Sequence, residues 1–135
     1  MPTYLLDTSV FSQPLRRKPQ MRSLERWRDA GDSSCRISVV TVAEVEFGLA
    51  LEESPTRREK YKAVLEGRIA VLEADRAVWH EFSRLKARQH SAGQIVADMD
   101  LLIAATSVVH RLTVATLNSR DFSRIEGIAW EDWSK

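Results

Sequence analysis

A chain of 135 residues is long enough to bury the core of one domain without disulfide staples. Its 44% apolar and 29% charged residues are the proportions of a soluble globular protein, and neither a repeat nor a low-complexity tract interrupts them. Twenty Lys and Arg stand against nineteen Asp and Glu, so net charge excludes a strong overall attraction to nucleic acid. Binding to a polyanion would have to come from local basic patches or from a bound cation. Cys35 is alone, which rules out an internal disulfide and suits a reducing compartment. Asp7 interrupts the only apolar run near the N-terminus, so no signal peptide is expected. The run from Leu101 to Val109 is too short to span a bilayer. One cytoplasmic domain over residues 1–135, without membrane contact, is the expectation.

In chain order, strand-like runs alternate with helical patterns. "TYLL" (3–6) reads as a buried strand that stops at Asp7, and "DTS" after it can cap a short helix. A helix is expected near 20–31, then the strand "RISVV" (36–40), then helices over 41–52 and 55–67, parted by Pro55. "RIAVL" (68–72) is the third strand. The clearest amphipathic helix spans 75–91: Asp75 caps it, Val78, Phe82 and Leu85 recur at helical spacing, and Gly93 follows its end. A helix over 98–110 is apolar almost all round, which predicts a central, buried position. "LTVAT" (112–116) and, more weakly, "IAW" (128–130) complete the strands. Short strands alternating with helices imply an α/β fold whose mostly parallel sheet is covered on both faces.

In such folds ligands sit beyond the carboxyl ends of the strands. Asp7 directly follows the first strand. Glu44 is expected in the first turn of the helix after the second, Asp98 and Asp100 head the central helix, and Asn118 and Asp121 follow the fourth strand. Asp7, Glu44, Asp100 and Asp121, scattered along the chain, can therefore converge at one sheet edge. Like charges brought together raise one another's pKa and oppose folding unless a divalent cation joins them. Magnesium takes carboxylate and water oxygens, and acids around a hydrated ion suit attack of metal-activated water on a phosphodiester. Each acid also has a structural reading. "TVAE" (41–44) fits a capping box, Asp98 an N-cap, Asp100 a first-turn acid that favours the helix dipole, and Asp121 a turn residue.

"YLLDTSV", "TVAEVEFGL", "DMDLLIAATSVVH" and "VATLNSRDF", in this order and followed by "IAWEDW", resemble the PIN-domain family, and more narrowly its VapC-type toxins. The resemblance covers nearly the whole chain. It implies a three-layer α/β/α domain with a five-stranded sheet in the order 3-2-1-4-5. It implies an endoribonuclease dependent on Mg2+ or Mn2+ that cleaves tRNA or rRNA, arrests translation, forms homodimers and is neutralised by a VapB-like antitoxin. Asp7, Glu44, Asp100 and Asp121 occupy the family's acidic positions, with Asp7 and Asp100 the implied metal ligands and Glu44 and Asp121 reaching the metal through water. Ser9, Asp98, Thr116 and Asn118 fall where residues orient ligands or waters. Two departures stand out: Arg111 replaces a common glycine before the fourth strand, and Leu117 a common arginine after Thr116.

Among the remaining candidates, Arg16, Arg17 and Lys18 can contact RNA phosphates or form a solvated loop. Arg57, Arg58, Lys60 and Lys62 read as an exposed helix face. His80, His90 and His110 lack metal-like spacing, and the four tryptophans read as core or interface. An apolar surface over 43–65 is where the resemblance implies an antitoxin tail. Two other functions compete. A phosphotransfer enzyme with a nucleophilic aspartate of the haloacid-dehalogenase type would want a second Asp where Ser9 stands. A catalytically silent PIN-fold module would bind RNA or protein without cutting.

Overall fold

The computed structural model describes residues 1–135. Five parallel strands, β1 (Tyr4–Leu6), β2 (Cys35–Ser38), β3 (Ala70–Leu72), β4 (Thr113–Thr116) and β5 (Trp130–Asp132), form one sheet in the order β3-β2-β1-β4-β5. Register aligns Leu6 with Ile37 on one side and with Ala115 on the other. Because successive strand side chains point to opposite faces, Leu5 and Val114 enter one core while Leu6, Ile37 and Ala115 enter the other.

The first core lies beneath α5 (Arg76–Ser91) and α6 (Asp98–His110). Leu101 through Ser107 are all buried, as the apolar circumference of α6 predicts. The second core collects α1 (Thr8–Phe11), α2 (Met21–Ala30), α3 (Val39–Ala50) and α4 (Thr56–Val64), with Trp27 and Trp133 among its buried side chains. Trp133 meets Tyr4 edge-on, ring centroids 5.0 Å apart, and so fastens the C-terminus to β1. A four-residue helix, α7 (Ser119–Phe122), follows β4. The α/β/α layering and the strand order are those implied by the resemblance. No helix is long and apolar enough to cross a membrane.

Two local expectations need correction. The helix expected over 41–52, α3, begins at Val39, not Thr41, because the Ser38 hydroxyl accepts the Val40 N–H at 3.0 Å and caps the chain earlier. Thr41 is therefore inside the helix, the capping box over 41–44 does not exist, and Glu44 lies beyond the first turn. The last strand is also displaced, from 128–130 to Trp130–Asp132, pairing Ala115 with Glu131.

Arg111 ends α6 in a left-handed conformation, φ 57° and ψ 47°. A side chain is strained there, which explains why glycine suits this position. Arg111→Gly should stabilise the fold by about 1 kcal/mol, the scale of that strain, seen as a higher urea midpoint at unchanged slope.

Candidate active site

At the carboxyl edge the Asp7 backbone N–H still donates to Ala115 O (3.0 Å), the last rung of the β1–β4 ladder, before the chain turns into α1. Asp7 is buried and caps α1. Its Oδ1 accepts the Ser9 hydroxyl at 2.6 Å and the Val10 N–H at 3.2 Å; its Oδ2 accepts the Thr116 hydroxyl at 2.6 Å. Both hydroxyls are themselves oriented. Ser9 Oγ accepts the Leu117 N–H and Thr116 Oγ1 accepts the Asn118 N–H, at 2.9 and 2.8 Å. Sequence-distant motifs thus aim one carboxylate. Two lone pairs of Oδ1 are used, while Oδ2 keeps one for a ligand.

Glu44 reaches the same edge from α3, its carboxylate accepting the Thr8 hydroxyl. Asn118 Nδ2 donates to Asp121 Oδ2 at 2.8 Å, fixing the acid carried by α7. Asp7, Glu44, Asp100 and Asn118 line one hollow of about 250 Å³, with Thr8, Ser12 and Arg16 on its rim. Asp121 stands close enough to act on Asp100 electrostatically. Asp98 is the exception. It starts α6 without capping it and turns outward to Lys86 (3.1 Å), so the structure does not bring it into the cluster, neither as cap nor as second-layer residue. A roomier hollow beside Trp27, about 480 Å³, carries no such chemistry, because its Asp32 and Arg68 pair with each other at 2.9 Å.

The electrostatics register the crowding. The Asp100 carboxyl is pushed up to about 6, first by burial and then by the charges of Asp121, Asp7 and Glu44. Burial also raises Asp7, against the opposing effect of its hydrogen bonds to Ser9, Thr116 and Val10. No three acidic, His or Cys side chains form a ready-made cage for a metal. An open set of carboxylate oxygens, with Asp100 free of any hydrogen-bond partner, instead fits a hard cation that keeps several waters.

A folded-state pKa above the unfolded one means that the native protein binds the extra proton between pH 4 and 6. The metal-free protein should therefore gain stability from Asp100 as pH falls from 7 to about 4.5. The gain, discounted for partial exposure, is about 1 kcal/mol. Magnesium should raise the melting temperature at pH 7.5 and much less at pH 5, where the proton occupies the site; thermal melts in EDTA and in magnesium check both arms.

A PIN domain family model matches residues 4–128. The tRNA(fMet)-specific endonuclease VapC of Shigella flexneri is 31% identical over 134 residues, covering 97% of this chain and 98% of that protein. The crystal structure of FitAcB from Neisseria gonorrhoeae superposes with a TM-score of 0.87 at 28% identity, over 97% of this chain and 99% of that one. VapBC-5 of Mycobacterium tuberculosis, a member of the VapBC family of toxin–antitoxin systems, gives 0.71 at 27% identity over 96% and 97%. With the β3-β2-β1-β4-β5 sheet and the acids gathered at its carboxyl edge, these likenesses establish that the chain belongs to the PIN-domain family, in its VapC-type ribonuclease branch.

Proposed function

We propose that this chain is a divalent-metal-dependent endoribonuclease toxin that cuts tRNA or rRNA and halts translation until a VapB-like antitoxin neutralises it. The observation that carries the reading is the convergence of Asp7, Glu44, Asp100 and Asp121 on one sheet edge, where burial first and then the charges of the other three raise the Asp100 carboxyl to about 6. Such crowding costs folding free energy in the metal-free chain, a cost that a cation held among the acids would offset. Asp7 and Asp100 would hold Mg2+ or Mn2+ directly, with Glu44 and Asp121 acting through water. When bound, the cation supplies activation of water and offsets phosphate charge. The protein's own part is positional. Ser9 and Thr116 hold the Asp7 carboxylate in one orientation, Thr8 does the same for Glu44, and Asn118 for Asp121. Arg16 on the rim meets the substrate's phosphate.

The antitoxin is supported by the toxin–antitoxin relatives and by what α3 and α4 leave exposed. Phe47 and Leu51 are about two-thirds exposed, beside a hollow of about 250 Å³ lined by Leu49, Ala50 and Tyr61. Homodimer formation belongs to the same reading. Light scattering would then show twice the chain's 15.4 kDa.

Expression of the chain alone in bacteria tests the proposal. Protein synthesis should stop and discrete RNA fragments accumulate, and both effects should vanish with Asp100→Asn at equal protein level. Continued synthesis with intact RNA would favour the silent binding module.

A further inference from the structure

The acid hollow opens sideways into a second groove of about 220 Å³ between the segment after α1 and the edge of α3 where its core-facing Val45 and Leu49 meet Glu44 and Gly48. The two share Thr8, Ser12, Arg16 and Glu44, so the hollows adjoin and a polymer lying over the acids can run on into this groove. Its floor is apolar, made of Leu15, Val45 and Leu49, and arginines mark its ends: Arg16 beside the acids and Arg57 on α4. Arg16 forms no ion pair. Arg57 has only a half-exposed contact with Glu52 at 2.9 Å, which costs little to exchange for a phosphate.

Gly48 supplies the second observation. It lies inside α3, where glycine costs about 1 kcal/mol relative to alanine. Its φ is not positive, and a Cβ built on it meets nothing within 4 Å. Neither backbone geometry nor packing within the chain calls for glycine. The space that its missing side chain leaves belongs to the groove.

We infer that this groove is a nucleotide subsite next to the scissile phosphate: a single-stranded base lies on Leu15, Val45 and Leu49, Arg16 and Arg57 hold successive phosphates, and Gly48 keeps the space open. The inference rests on the nuclease reading above. An apolar floor between two cations matches a base flanked by phosphates, and single strands are what proteins bind by placing splayed bases on such floors.

Gly48→Leu fills the groove without entering the acid cluster. Cleavage of a short single-stranded RNA by the full chain with magnesium should lose about tenfold or more through KM, the scale of one base contact, while kcat and the urea midpoint hold or rise. In the Asp100→Asn chain, expected not to cut, the same change should weaken binding of a fluorescent RNA oligonucleotide to the same degree. Gly48→Ala should fall between. Arg57→Ala should flatten the salt dependence of binding by about 0.7 in slope, one phosphate on a single strand. Unchanged KM and binding in Gly48→Leu would overturn the subsite, as would an intact slope in Arg57→Ala; the groove would then be left to a protein partner. If the wild type cuts while Gly48→Leu is indifferent, only the subsite fails. If RNA binds in a Gly48-dependent way but is never cut, the nuclease reading fails and the groove stands as an RNA-binding site without a scissile phosphate.

Discussion

Asp100→Asn should lower RNA cleavage by about a hundredfold or more and, in the absence of metal, should make the protein more stable. The two effects have one cause. Asp100 is half-buried beside three other acids and carries a carboxyl raised to about 6, so at neutral pH its charge is held against the preference of the fold. Asparagine keeps the shape and deletes the charge. The expected gain in EDTA at pH 7.5 is about 1 kcal/mol once partial exposure is allowed for, read from urea unfolding. A cation that needs this oxygen would bind more weakly, and its contribution to phosphodiester chemistry would go with it. An acid serving only as a helix-dipole partner would behave oppositely: its removal would cost a few tenths of a kcal/mol and leave cleavage alone.

The second large effect belongs to Asp7, where the choice of replacement separates chemistry from folding. Asp7→Ala removes the cap of α1 and leaves the Ser9 and Thr116 hydroxyls without their acceptor, while the Val10 N–H keeps only the Asp7 backbone carbonyl at 3.2 Å. A lost cap with two hydroxyls unpaired costs about 3 kcal/mol, a large share of a domain's stability. Asp7→Asn retains one oxygen and the side-chain shape. Its expected cost is about 1 kcal/mol, and it should be as inactive as the alanine variant. Urea unfolding beside an RNA cleavage assay distinguishes them. Equal activity in Asp7→Asn and wild type would remove Asp7 from the chemistry and leave it a cap.

Much of this was legible because the signals were local. The apolar circumference of the 98–110 helix announced its burial, Asp75 announced the start of α5, and an acid at the end of "YLL" announced the sheet edge. Helix starts were less legible where two caps compete. Ser38 captured Val39 and Val40 for α3 despite their β-branched side chains, and Glu44 thereby moved from an apparent cap to a position facing Thr8. Asp98 and Asp100 were alike in sequence, yet two residues along a helix is a turn of 200°, which sends one to Lys86 and the other to the acids. The hydroxyl network of Ser9 and Thr116 had its positions indicated by family likeness, but its bonds span more than a hundred residues and only the fold displays them. Gly48 gave no sequence signal at all. Its meaning lies in empty space next to it.

Digestion of total cellular RNA by the purified chain in magnesium, in manganese and in EDTA, beside the Asp100→Asn variant, tests the four-acid centre most sharply. Discrete fragments are expected with a divalent cation, none in EDTA, and none from the folded variant. Fragments that persist in EDTA, or that the variant produces as fast as the wild type, would contradict a cation-dependent centre built from these four acids.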